Sequence, residues 1–432
     1  MPSSIDWQEA KAPKVIRILH VIPGLGLGGA ETLLFELVRR QTEFEHSVIC
    51  LNGPGWFSDK LEELGVRVGH LHMRASPVAA IGLIKLYRII HREKPDLVQA
   101  WLYSANFLAG VAAKLAGVPV IWGIHTCWSK RYRMLTRLFA RAGGILAPVL
   151  PAQVINCSEA AARTHAELGY PNGPAVVIHN GYDAFRFIPD SDAKATVRRE
   201  LGIPADRFIV GSITRWTDYK DVPTLLRALR IVAKEGRPVT CVLVGQGLRY
   251  ENSGLAEVIR QLGCSEYVLP LGRRLDIERV AAALDLHVLP SVTESFGNTI
   301  AETMLAGVPN VVTDCGGPAE VVGNTGWVVP TQNPQEMADA ISEARREWSE
   351  MPEAWERRRS IARARVVENF SAERMARAYG EVWRQVAAKG EVSERPPALV
   401  VQDAPPVAKR ENSHPLARNA TDHSNVAPKD VA

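Results

Sequence analysis

The sequence predicts two doubly wound, parallel-sheet α/β domains, and three observations lead there. From Lys14 onward, short apolar runs alternate with segments of helical period. The alternation breaks at a polar stretch after Asn180-Gly181 and starts again with "FIVGSIT". At 432 residues the chain is also long enough for about two or three domains, each with its own core.

In the first domain, expected over residues 14–182, strands are read in "VIRILHVI", "EHSVICLN", "DLVQAWL" and "PVIWGIH", with helices in "AETLLFELVRR" and "FSDKLEELG". Repetition of this βαβ kind implies a parallel sheet with helices on both faces. Residues 183–206 are polar and read as a linker. The second domain, expected over 207–370, repeats the pattern through "TLLRALRIVA", "VTCVLVGQG", "YVLPLG", "IERVAAAL", "LHVLPS" and "NVVTD". Residues 371–389 place Met375, Tyr379, Val382, Trp383 and Val386 on one stripe, which predicts an amphipathic helix docked on a domain surface. Residues 390–432 are Pro-rich, polar and without period, and are read as disordered.

Composition narrows the function class. A net charge of +4, from 51 basic and 47 acidic residues, is too balanced to argue for nucleic acid. The six cysteines lie far apart with no Cys-x-x-Cys pair, so neither a disulfide framework nor a zinc site is indicated. The first apolar run ends at once in Pro23-Gly24, unlike a signal peptide, and no run reaches the ~18 apolar residues of a spanning helix. The expectation is a soluble, cytoplasmic protein.

Two motifs carry chemistry. "VIPGLGLGGAE" holds Gly24-x-Gly26-x-x-Gly29 between a strand and a helix, the spacing of a dinucleotide-binding turn. The next strand, "HSVICLNGPG", ends without the carboxylate that would hold a ribose, so the turn reads as a flexible Gly loop whose backbone amides approach an anion at a helix N-terminus. A plain tight turn and an NAD-dependent dehydrogenase stay open beside that reading. The second motif, "SVTESFGNTIAETMLAGVP", runs from a buried strand into a helix that Gly307 and Pro309 stop. Thr299-x-x-Glu302 matches a capping box, which would give Glu302 a purely structural role. The functional reading has the amides of Asn298–Ile300 facing a diphosphate, Glu302 accepting from a ribose diol, and Glu294 accepting from sugar hydroxyls.

Paired glutamates also suit a glycosidase. The cations argue otherwise: "SITRWTDYKD" brings Arg215 and Lys220 to the end of a strand in the second domain, where they suit a diphosphate leaving group.

"ITRWTDYK", "VLVGQG", "ESFGNTIAETMLAGVP" and "GGPAEVV" together resemble the nucleotide-binding domain of the retaining glycosyltransferases of family 4, which have the GT-B fold. The resemblance spans roughly Val15–Ala388. It implies two Rossmann-like domains facing across a cleft, with a C-terminal helix crossing back to the first. It further implies that Arg215 and Lys220 bind the donor diphosphate, that Glu302 holds the ribose, and that Glu294 holds the transferred sugar with the amides of Phe296 and Gly297. Gly245, Asn298 and Thr299 belong to the same donor surface, and Gly28-Gly29 closes over the phosphate and acceptor side.

The resemblance also selects His125 at a strand end in "VIWGIHTCW" as the ligand of a donor-sugar hydroxyl and a stabiliser of charge at the anomeric carbon. The implied co-substrate is a nucleotide-diphospho-sugar, with no cofactor, no metal and no nucleic acid. The implied acceptor is a hydroxyl of a glycan or lipid-linked molecule, in polysaccharide or glycoconjugate synthesis. Asp221 stands where the family often has Gly, and "WLYSAN" lacks a histidine that relatives often carry. Asp190-Ser191-Asp192 imitates a metal-binding Asp-x-Asp, but no strand precedes it, so it is not read as one. The rivals are the dehydrogenase and a catalytically silent GT-B protein that binds sugar nucleotides.

"KRYRMLTRLFARAGGIL" gathers Lys130, Arg131, Arg133, Arg137 and Arg141 with no acid, interleaved with Met134, Leu135, Leu138 and Phe139 at helical spacing. Such a helix suits peripheral attachment to an anionic membrane. An ordinary surface helix packing its apolar stripe on its own sheet is the alternative.

Overall fold

The computed structural model describes residues 14–73, 79–128, 134–170, 176–236 and 239–390. The first domain begins β1 (Arg17–Ile22), α1 (Gly29–Arg40), β2 (Glu45–Cys50), α2 (Ser58–Glu63), β3 (Arg67–His70), α3 (Ala79–Glu93) and β4 (Leu97–Trp101). It continues α4 (Leu102–Ala116), β5 (Val120–Ile124), α5 (Met134–Leu146), β6 (Gln153–Asn156), α6 (Glu159–Ala166) and β7 (Val176–Val177). Its strands form one parallel sheet in the order β3-β2-β1-β4-β5-β6-β7.

The second domain runs α7 (Ser191–Glu200), β8 (Phe208–Ile213), α8 (Val222–Lys234), β9 (Val239–Val244), α9 (Ser253–Leu262), β10 (Val268–Gly272), α10 (Ile277–Ala283) and β11 (Leu286–Leu289). After these come α11 (Asn298–Leu305), β12 (Asn310–Thr313), α12 (Gly317–Val322), β13 (Trp327–Val329), α13 (Pro334–Glu350), α14 (Pro352–Asn369) and α15 (Ala372–Gly390). The second sheet is again parallel, ordered β10-β9-β8-β11-β12-β13. This is the GT-B architecture.

The apolar runs follow from burial on both faces, which leaves no reason for alternation. Every residue of β4 and of β8 is buried. In both sheets the strand order reverses beside the first strand, between β1 and β4 and between β8 and β11. A crevice opens at the carboxyl ends of the strands at such a switch point.

The polar stretch after Asp183 is more than a connection, because it carries α7. Lys194 and Arg198 of that helix bind the buried Asp285 carboxylate at 2.7 and 2.6 Å, and the Ile209 amide donates to the same carboxylate at 2.8 Å. Burying a charge requires such partners, and they tie α7 to the second domain. Asp190 caps this helix by accepting from the Ala193 amide at 2.8 Å, which accounts for its carboxylate.

α15 crosses back. Met375, Tyr379, Val382, Trp383 and Val386 are all buried in a core shared with Ile18 and Trp101 of the first domain. The Trp383 indole N–H donates to Gln99 Oε1 at 3.1 Å. Of residues 390–432, read as disordered from composition, Gly390 ends α15 and 391–432 lie outside the described residues.

Candidate active site

Between the two sheets lies a cleft of about 1080 Å³. Gly28, Gly29 and His125 line it from the first domain, and Arg215, Lys220, Gly245, Glu294, Gly297, Asn298, Thr299 and Glu302 from the second. The Phe296 ring is turned into the core, 1 % exposed and packed on Phe370, so its backbone alone is left for a ligand.

Lys220 and Glu294, on neighbouring loops of the second domain, form a hydrogen-bonded ion pair in the cleft wall. Arg215 is exposed beside them, its guanidinium donating to the Tyr219 hydroxyl at 3.2 Å. Lys220 ends a 3-10 turn, and Asp221 follows in the left-handed conformation with φ 45° and ψ 44°. That conformation explains why glycine is common at this position in the family, and Asp is among the residues that tolerate it. The Asp221 carboxylate accepts from the Thr224 hydroxyl at 2.8 Å, so the turn after Lys220 is formed here without a glycine.

The capping-box reading of Thr299 fails. α11 starts at Asn298 with Gly297 as its N-cap, and no side chain caps it. Its N-terminus therefore opens on the cleft, with the positive end of the helix dipole toward any anion there. Glu302, one turn further in, keeps its carboxyl in the cleft wall, where burial pushes its pKa up to about 7, against the attraction of Arg186.

His125 follows β5 directly. Its imidazole stacks on Trp101 at 5.0 Å between centroids, and Nε2 lies 3.4 Å from the Tyr379 hydroxyl of α15. Burial lowers its pKa to about 4, so the ring is neutral at pH 7. Nδ1 is buried with no hydrogen-bond partner of normal geometry among the described residues, and the nearby Asn180 side chain partly opposes the lowering of the pKa.

The family model "Glycosyltransferase Family 4" matches residues 27–186, and "Glycosyl transferases group 1" matches residues 207–346. The two spans together make up well over half of the chain. The chain is 27 % identical over 310 residues to the putative glycosyltransferase EpsF of Bacillus subtilis (strain 168), covering 69 % of this chain and 79 % of that protein. It is 26 % identical over 317 residues to the UDP-Gal:alpha-D-GlcNAc-diphosphoundecaprenol alpha-1,3-galactosyltransferase of Escherichia coli, covering 70 % and 80 %. The crystal structure of Anabaena Alr3699/HepE in complex with UDP and glucose superposes with a TM-score of 0.75 at 26 % identity, over 85 % of this chain and 99 % of that one.

The chain is a family 4 glycosyltransferase.

In this glycosyltransferase the two domains also touch at residues that motif spacing does not single out. Asn180 Nδ2 and the Tyr182 hydroxyl both donate to Asn298 Oδ1, at 2.9 and 2.7 Å. Gly29 lies against the same side chain, where a Cβ would come within 2.6 Å of Asn298 Nδ2. Glu31 lines the cleft from the first turn of α1; burial raises its pKa, and the Arg215 charge opposes that shift. The polar Asn180-Gly181-Tyr182 break was visible in the sequence as a domain boundary, but what its side chains face was not.

The basic helix gives a split result. Lys130, Arg131 and Arg133 lie outside the described residues. From Met134 on, α5 packs its small side inward: Ala140, Gly143 and Gly144 are buried. A Cβ at Gly143 or Gly144 would sit 2.2 Å from the Tyr170 hydroxyl or 1.9 Å from the Leu168 carbonyl. The large apolar residues are left outside, Met134 at 85 %, Leu135 at 54 %, Leu138 at 61 % and Ile145 at 77 % exposure, with Arg141 exposed among them. Thr136 and Phe139 of the same helix line the cleft.

Proposed function

We propose that this glycosyltransferase moves a sugar from a uridine-diphosphate donor, with retention of anomeric configuration, to a hydroxyl of a lipid-linked glycan acceptor on an anionic membrane face, from the cytoplasmic side. The observation that carries the retaining chemistry is the Lys220–Glu294 pair. A carboxylate neutralised by a lysine is a poor nucleophile, and the lysine marks where the diphosphate meets the sugar. Transfer then proceeds on one face. The bond from the anomeric carbon to the phosphate oxygen breaks and the acceptor oxygen bonds to that carbon from the same side. The acceptor proton passes to the departing phosphate oxygen. Arg215 and Lys220 stabilise the charge that grows on the diphosphate, so no divalent metal is required. The neutral His125 offers Nδ1 to a sugar hydroxyl without adding positive charge beside the anomeric carbon.

The uridine assignment draws support from the UDP and glucose bound by the Anabaena protein. The lipid-linked acceptor draws support from the diphosphoundecaprenol named in the Escherichia coli relative and from the inside-out α5, whose apolar face continues from the cleft to the surface. Among the described residues no helix is long and apolar enough to cross a membrane, so α5 would bind at the interface.

The test is to incubate the purified protein with UDP-, GDP- and ADP-sugars and follow nucleotide release, then determine the anomeric configuration of the transferred sugar by NMR. Release from UDP-sugars and an α-linked product from an α-donor are expected. Release from GDP-sugars alone would remove the uridine assignment, and an inverted product would remove the retaining mechanism.

A further inference from the structure

Glu320 projects from α12 of the second domain into the first domain. Its Oε1 accepts from the Ala160 amide at 2.7 Å and its Oε2 from the Glu159 amide at 3.0 Å. These are the first two amides of α6, which no group inside a helix can satisfy. The next one, Ala161, donates to the Ser158 hydroxyl of its own N-cap at 3.0 Å. Arg163 and His179 stand 3.6 and 3.8 Å from the Glu320 carboxylate, which is 14 % exposed. Separating the domains would strip α6 of its cross-domain cap and leave the carboxylate without these donors.

The same contact reaches the sugar site through the turn that precedes α12. The Gly317 amide donates to the Glu294 carbonyl at 3.2 Å, and Glu294 and Gly316 form a parallel bridge. Ser158 donates to the Ser295 carbonyl at 2.5 Å, and Ser295 donates to the His125 carbonyl at 3.2 Å. Glu294 and His125 come from different domains, so their separation is set by how the domains seat against one another.

We propose that Glu320 is a positioning residue for glycosyl transfer: by capping α6 across the cleft, it holds the Glu294 turn in register with His125. The proposal rests on the reading of these two residues as the sugar site. The groups assigned to the nucleotide, Arg215, Lys220 and Glu302, all lie on the second domain, and none of them touches Glu320 or α6.

The experiment compares the wild-type protein with Glu320→Gln and Glu320→Ala in three measurements: affinity for UDP alone, turnover with the active donor, and radius of gyration by small-angle X-ray scattering. The expected result is UDP affinity within about twofold, turnover lower by between about tenfold and a hundredfold in Glu320→Ala, as misplacement of reacting groups produces, and a larger radius of gyration. Glu320→Gln, which keeps the acceptor oxygen but loses the charge, is expected to fall between. Unchanged turnover with unchanged radius would overturn the proposal, as would a loss of UDP binding in parallel with turnover, which would mark a merely destabilised domain. The radius is read without substrate, so a failure of the donor assignment would leave it intact.

Discussion

The Trp101 indole holds the His125 imidazole by stacking, 5.0 Å between centroids and 23° between planes. Trp101 is itself held: its Nε1–H donates to His20 Nδ1 at 3.3 Å, which puts the His20 proton on Nε2, 3.0 Å from His46 Nδ1. His46 then donates from Nε2 to the Gln41 carbonyl at 2.9 Å. One tautomer of each ring satisfies the whole chain. Both histidines are kept neutral, His20 by burial and by the neighbouring His46, His46 by burial.

His125→Ala is expected to lower turnover by about 10²-fold, the scale of losing one preorganised polar group, with UDP affinity unchanged because the proposed function sets the ring against the sugar and not the nucleotide. Steady-state kinetics with parallel UDP titration would check this. A weakened UDP affinity with normal turnover would place His125 outside the sugar site.

Glu302 supplies a pH dependence. In the free protein its carboxyl titrates near 7 because of burial, whereas accepting hydrogen bonds from a ribose diol calls for the ionised form. Donor binding therefore releases a proton below about pH 7, and UDP affinity is expected to rise with pH through that region and level off above it. Glu302→Gln should flatten the profile and lower affinity at pH 8. The folding consequence has the opposite sign: a raised carboxyl pKa gives a contribution to stability that is complete below the ordinary value of about 4.5 and is lost as pH climbs from there through about 7. Isothermal titration at pH 6, 7 and 8 decides, and equal affinity in the two proteins at every pH would return Glu302 to the scaffold.

Replacing Arg215 or Lys220 by Ala should cost turnover more than ground-state donor binding, by about 10²-fold or more, because each acts on charge that grows as the bond to phosphate breaks. Lys220→Ala also leaves Glu294 unpaired, so it is expected to be the more damaging of the two. Wild-type turnover in both variants would withdraw the diphosphate assignment.

Co-sedimentation with vesicles tests α5. Binding to anionic but not neutral vesicles, weakened by salt, is expected, since basic residues near such a surface contribute about 1 kcal/mol each. Arg137→Gln with Arg141→Gln should reduce recovery, and Leu138→Ser should do so at every salt concentration. Equal recovery on both vesicle types would leave the exposed apolar face without a lipid role.

Sequence by itself determined the two doubly wound sheets, because strands buried on both faces must be continuously apolar and the helices between them must carry one apolar stripe. It also picked out the Arg215–Lys220 and Glu294–Glu302 blocks, since each lies within a single strand-turn-helix unit whose spacing fixes its place. What only the tertiary structure decided is everything that joins residues far apart in the chain. Pairing of Lys220 with Glu294 depends on how two loops of the second sheet fold together, and the support of His125 by Trp101 and Tyr379 on how α15 docks on the first; the meeting of Asn180 and Tyr182 with Asn298 and the seating of Glu320 on α6 depend on how the two sheets face one another. The same holds for α5: its period announced an apolar stripe, but whether that stripe faces in or out depends on Gly143 and Gly144 fitting beneath Tyr170 and Leu168. Periodicity records that a face is apolar; only close packing against a distant segment selects which face the protein covers.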